Sequence, residues 1–212
     1  AEMSSLNPLV LLPEALRTRT ETLAQGLTES FTLGVGQFCT KPGLVFAVRG
    51  ETTDAFLQQL ATRVAAAGCG TLLSAEIRKA FEANRAGLVA TPGVKVLAES
   101  GASIESGRVG AKPSVAVTDA KHFLATPSLA TEAFGPFTLV VLADDMAQLA
   151  ACLQGLPGQL TATVHGTEAD LAQATDLLDA AAQVAGRVII NGFPTGVEVS
   201  PAMNHGGPYP AT

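Results

Sequence analysis

"FTLVVLADDMAQLAACLQGLPGQLTATVH", residues 137–165, holds two apolar runs separated by a stretch with a different rhythm. The first seven residues are apolar or β-branched without a break, the composition of a strand covered on both faces. Over 145–154 the apolar residues recur every three or four positions, which predicts a helix. "LTATVH" (160–165) reads as a second strand. A strand, a helix and a strand in that order form the crossover that parallel neighbours require, because a tight hairpin cannot join them.

The same alternation extends through the chain. β-Branched runs recur at "LVFAV" (44–48), "VKVLA" (94–98), "SVAVT" (114–118) and "RVIIN" (187–191). Helical spacing recurs at about 13–32, 52–67, 73–86 and 167–184. In "TTDAF", Thr53 or Asp54 is the expected N-cap of the second helix. "TEADLAQATDLLDAAAQVAG" opens at Thr167 with Asp170 three positions on and closes at Gly186, which suits a cap at each end. The chain is therefore expected to form a layered α/β domain, a largely parallel sheet flanked by helices.

A length of 212 residues suits one large domain or two small ones, with room for a sizeable core. The apolar set makes up 47%, while charged residues reach only 15%, against about 25% in ordinary globular domains. Such a chain is expected to carry a face that another domain or subunit covers. A net charge of −6 and scattered basic residues argue against a nucleic-acid partner. Cys39, Cys69 and Cys152 show neither metal-site spacing nor an even disulfide set, so a reducing, cytoplasmic compartment is expected. No stretch approaches the ~18 apolar residues of a membrane span. The start, "AEMSSLNPLVLLP", lacks a basic leader and an initiator methionine, so the chain reads as a cut-out piece.

Chemistry is concentrated in a few places. Cys39 follows Gly34 and Gly36 and precedes Lys41 and Gly43. A buried structural thiol needs no such glycines, whereas a reactive thiolate gains from close backbone N–H groups and nearby positive charge. Cys69 and Cys152 sit at a helix end and within a helix, and read as packing residues. His122 on a short helical stretch and His165 at a strand end also read as structural. His205 lies in the final segment, 191–212, which has four glycines, four prolines and little regular pattern. Long ordered loops of this kind are often functional. Glu2 and Glu132 stand beside "MSSLNP" and "AFGPF", the latter with a rigid Gly-Pro turn. No dinucleotide fingerprint, phosphate loop, HExxH zinc motif or GxSxG elbow occurs.

Taken in order, these pieces resemble the aldehyde dehydrogenase superfamily. "EMSSLNP" (2–8) is similar to the family's glutamate motif, usually written E-L-G-G-K-S-P, with Ser4 and Ser5 in place of the paired glycines. "FTLGVGQFCTKPG" (31–43) resembles its nucleophile segment, and "EAFGPF" (132–137) its E-x-F-G-P motif. "GRVIIN" (186–191) resembles the strand before the substrate-mouth loop. His205 before Gly206-Gly207, where the family usually has an aromatic, resembles the branch of α-ketoglutaric semialdehyde and NADP-linked long-chain fatty aldehyde enzymes.

The resemblance implies a catalytic domain over 1–212, with a nucleotide-binding domain and an oligomerisation arm outside the chain. It implies NAD or NADP as cofactor, held mainly by that other domain, a small aldehyde as substrate, and a homodimer or homotetramer. It implies that Cys39 is the nucleophile and Glu2 the base that activates water. Glu132 would bind the nicotinamide ribose and Phe134 would support the ring. Phe38, Thr40, Phe193 and His205 would shape the substrate mouth, and an asparagine of the nucleotide domain would complete the oxyanion site. Two other readings stand beside this one: a stable piece with no activity of its own, and a cysteine hydrolase that pairs Cys39 with His205.

Overall fold

The computed structural model of the chain describes residues 4–196 and 200–208. In chain order, β1 (Leu9–Leu11) leads to α1 (Pro13–Thr32), a 3-10 turn (Leu33–Gly36), β2 (Leu44–Val48) and α2 (Glu51–Ala66). There follow β3 (Gly70–Thr71), α3 (Ala75–Ala90), β4 (Lys95–Glu99), β5 (Gly110–Ala111) and β6 (Ser114–Asp119). The last part holds α4 (Ala120–Ala125), a 3-10 turn (Pro127–Ala130), β7 (Phe137–Ala143), α5 (Met146–Gln154), β8 (Gln159–His165), α6 (Glu168–Gln173), α7 (Thr175–Val184) and β9 (Ala185–Ile190).

Seven strands form one sheet in the order β4-β6-β7-β2-β1-β8-β9, and β3 pairs with β5 apart from it. Every neighbour in the large sheet is parallel except β4, which runs antiparallel to β6. The alternation of strand and helix thus yields the layered, largely parallel sheet expected of it. β7 and β8 are buried along their whole length, as befits strands covered on both faces.

Strand periodicity separates two cores. Leu9, Leu11, Val45, Ala47, Val140 and Leu142 pack with Leu16, Leu27, Phe31, Phe56 and Leu60 of α1 and α2. Their neighbours Val10, Leu44, Phe46, Leu139 and Val141 turn to the other face, against Phe123, Leu149, Leu153 and Leu177. Each buried Val, Leu or Phe among them contributes roughly 1.5–3 kcal/mol relative to exposure.

Several local expectations are corrected. β1 is not among the expected strands, because a run of three residues is too short to show a period, yet it pairs on both sides near the centre of the sheet. α2 starts at Glu51 with Gly50 in the cap position, and the Thr53 hydroxyl donates to the Val48 carbonyl (2.6 Å) instead of capping. The stretch 167–184 is two helices, broken at Ala174 (φ −104°, ψ 30°). Thr167 and Asp170 do form a reciprocal capping box. Gly186 lies inside β9 and caps no helix; a Cβ there would meet the Gly206 carbonyl oxygen at 1.7 Å. Among the described residues no helix is long and apolar enough to cross a membrane.

Candidate active site

The sheet order assembles the site. β7, β2 and β1 are adjacent and parallel. The segments that enter them, 132–136, 37–43 and 4–8, therefore arrive side by side at one rim. These are three of the four stretches singled out in the sequence.

The 37–43 segment is shaped by the turn after α1. Gly34, Val35 and Gly36 take φ of 55°, 60° and 68° in succession. For β-branched Val35 this backbone is strained by about 1–3 kcal/mol. Its side chain packs on Gly70, where a Cβ would lie 2.4 Å from it. Gly36 answers why glycine is needed: a Cβ would fall 2.2 Å from the Gly135 carbonyl oxygen. The close approach that the glycines suggested is therefore to the chain's own 132–137 segment. Gly34 lies under the Phe38 ring instead.

Cys39 emerges from this turn half-buried, beside Phe38 at 37% exposure. Thr40, expected to shape the substrate mouth, is buried at 2% exposure. Lys41 is also buried, and its ammonium donates to the carbonyls of Ala133 (2.9 Å) and Phe137 (3.1 Å).

A residue that sequence reasoning missed ties the segments together. Asn7, fully buried at φ 49°, donates from Nδ2 to the carbonyls of Cys39 (2.8 Å) and Lys41 (3.1 Å). Its Oδ1 accepts from Ser5 (3.1 Å) and Thr161 (3.0 Å). Gln159 Oε1 accepts from the Leu6 and Asn7 N–H groups (2.6 and 3.1 Å), and Gly43 N–H donates to the Leu6 carbonyl (2.8 Å). The available signal was an Asn-Pro pair, which reads equally as an ordinary turn.

The carboxylate of Glu132 accepts from the Ser4 hydroxyl (3.0 Å), and its carbonyl accepts from Asn84 Nδ2 (2.8 Å). Phe134 is half-buried two residues on. Glu2 lies outside the described residues; of its motif, Ser4 hydrogen-bonds Glu132 and the Ser5 hydroxyl accepts from the Leu160 N–H of β8 (3.1 Å).

The fourth stretch lies farther away. β9 is three strands from β2, about 14 Å at the usual strand spacing. The loop after it runs along α1 toward the nucleophile: Phe193 lies on Gly26, Thr195 hydrogen-bonds Ser30 (2.7 Å), and Gly196 reaches Leu33. The Phe193 ring, expected at a substrate mouth, packs 4.8 Å from the His165 ring. His165 is buried as expected of a structural histidine, and burial together with the charge of Arg19 holds its pKa down to about 4. His205 is exposed, and its neighbour Asn204 hydrogen-bonds the Gly186 carbonyl at the edge strand (3.2 Å). That placement gives the Cys39–His205 hydrolase pair no support.

Cys69 Sγ donates to the Ala102 carbonyl (3.4 Å), and Cys152 is buried in α5, its thiol pushed up to about 11 by desolvation. A groove of about 360 Å³ between α1 and α2 is lined by Gln25, Thr28, Glu29, Thr32 and Arg63, none of them a proposed site residue.

The segments that carry Cys39, Glu132 and Phe134 thus meet at one rim of the sheet, joined by the Gly36–Gly135 approach and the Lys41 hydrogen bonds. The chain belongs to the aldehyde dehydrogenase family, whose model matches residues 1–208. It is 43% identical over its full length to alpha-ketoglutaric semialdehyde dehydrogenase 2 of Azospirillum brasilense, and 43% identical to the alpha-ketoglutaric semialdehyde dehydrogenase of Acinetobacter baylyi. It spans 40% of the length of each. Among solved structures, PnpE in complex with nicotinamide adenine dinucleotide is similar at TM-score 0.79 and 21% identity, over 97% of this chain and 42% of that one. Proline utilization A of Bdellovibrio bacteriovorus is similar at TM-score 0.78 and 19% identity, over 97% and 21%.

Proposed function

We propose that this chain is the catalytic domain of an NAD(P)-dependent aldehyde dehydrogenase that oxidises α-ketoglutaric semialdehyde (2,5-dioxopentanoate) to 2-oxoglutarate. The observation that carries this reading is the convergence of the Cys39, Ser4–Pro8 and Glu132–Phe137 segments, linked by Asn7, the Ser4–Glu132 hydrogen bond and the Gly36–Gly135 contact. The names of the two curated relatives support the substrate.

The residues suit a nicotinamide nucleotide. The Glu132 carboxylate already accepts a hydroxyl hydrogen bond from Ser4, so it offers an acceptor for ribose hydroxyls. Phe134, half-buried two residues on, would support the ring. When bound, the nucleotide supplies the acceptor for the hydride that leaves the substrate carbon. The remainder of its site, with the asparagine that completes the oxyanion pocket, is assigned to a nucleotide-binding domain of the longer protein. A cytoplasmic setting fits the absence of any disulfide among the three cysteines.

In this mechanism the Cys39 sulfur attacks the aldehyde carbon, and the carbonyl electrons move to oxygen. The Cys39 backbone N–H holds the resulting oxyanion. Loss of hydride leaves a thioester on Cys39, which is readily hydrolysed. Glu2 takes a proton from water, the hydroxide adds to the thioester, and the carboxylic acid leaves as the thiol is restored.

In the full-length protein, Cys39→Ala is expected to abolish both cofactor reduction with 2,5-dioxopentanoate and thiol alkylation at this site. Retained turnover overturns the nucleophile assignment. Faster turnover of a long-chain aldehyde by the unaltered protein overturns the substrate.

A further inference from the structure

Lys41, two residues past Cys39, is 1% exposed, yet it carries an ionisable group. Its Nζ donates to the carbonyls of Ala133 and Phe137, which bracket the Phe134–Pro136 turn. Gly135 of that turn is the residue that Gly36 touches. The Lys41 backbone is held as firmly: its N–H donates to the Phe38 carbonyl (3.1 Å), and its carbonyl shares Asn7 Nδ2 with that of Cys39. One residue therefore grips both segments, by its main chain on the nucleophile side and by its side chain on the other.

Packing alone does not account for this choice. An ammonium is costly to remove from water, and an apolar side chain of similar length would fill the space at less cost. An apolar chain would leave the Ala133 and Phe137 carbonyls without these donors. Desolvation lowers the Lys41 pKa to about 8, and the negative charge of Glu132 works against that fall. The ammonium thus feels the carboxylate assigned to the cofactor ribose.

We propose that Lys41 is a positioning residue, a clamp that holds the Glu132–Phe137 segment against the nucleophile segment and so sets Glu132 and Phe134 relative to Cys39. The inference rests on the reading of Cys39 as nucleophile and Glu132 as cofactor contact. It assigns Lys41 to cofactor registry, without direct contact with substrate or cofactor.

The test uses the full-length protein and Lys41→Met, which keeps the side-chain volume and removes both donors. With 2,5-dioxopentanoate as substrate, the KM for NAD or NADP is expected to rise about tenfold, and kcat to fall by about 10- to 100-fold, the cost of a misplacement near 1 Å. The aldehyde KM should stay within about twofold. All constants within about twofold of the parent overturn the proposal. So does an equal rise in both KM values with a lowered unfolding midpoint, the pattern of a merely structural role. If Lys41→Met does not fold, Lys41→Gln retains N–H donors and should raise the cofactor KM by a smaller factor; unchanged constants again overturn the clamp. The two readings fail separately: an active Cys39→Ala protein removes the nucleophile, whereas an inactive Cys39→Ala protein with a kinetically normal Lys41→Met protein removes only the clamp.

Discussion

Lys41 shows how one side chain links chemistry to stability. Its pKa in the folded chain is about 8, against 10.5 when exposed. Below pH 8 both states hold the proton, and the folded state bears the full cost of a buried charge. Between pH 8 and 10.5 the unfolded chain holds a proton that the folded chain has released, so stability from this group rises with pH across that window. Glu132 is the charged group that opposes the shift. Urea unfolding at pH 8 and pH 10 should show the parent gaining on Lys41→Met by an amount bounded at roughly 3 kcal/mol. A difference that does not change with pH contradicts the assignment. At this scale the sequence showed the thiol and its glycines, because both depart from ordinary packing. It did not show Asn7 or the direction of Lys41, since hydrogen bonds across more than 30 residues leave no local pattern.

Elements hold the site by their ends. Asp170 closes the capping box of α6 and also accepts from the Glu14 and Ala15 N–H groups (3.1 and 2.9 Å) at the start of α1. A single carboxylate thus satisfies open donors of two helices, one of which delivers the chain to the 33–36 turn. Asp170→Ala should lower stability by about 2–3 kcal/mol in denaturant unfolding, since two helix starts lose their acceptor. A loss below about 0.5 kcal/mol, the range of an ordinary surface change, contradicts this role. The capping box was legible because Thr and Asp stand at the required spacing. The link to α1 was not, nor was β1, whose three residues declare themselves only by pairing on both sides. Antiparallel β4 was likewise hidden, because direction in a sheet is set by connections and not by composition.

For the molecule as a whole, apolar excess and site location meet. Leu73 is 84% exposed, and its N–H donates to Gln37 Oε1 (2.8 Å), the residue before exposed Phe38 in the 37–43 segment. Exposed apolar side chains gathered beside a site mark a surface made to be covered. A composition rich in apolar and poor in charged residues leads to the same expectation of a covered face. The cover we propose is the nucleotide-binding domain of the longer protein. The isolated 212-residue chain is then expected to fold, to show no saturable NAD or NADP binding at micromolar cofactor by titration calorimetry, and to turn over no aldehyde. Micromolar binding by the chain alone contradicts the division of labour.

The parallel course of β7, β2 and β1 has a practical corollary. All three run away from the thiol, so the connections leaving them, such as the exposed Arg49–Gly50 turn, open on the opposite rim. A dye or affinity handle grafted there would report on the domain from behind, with a full strand length of packed sheet between the graft and the proposed site.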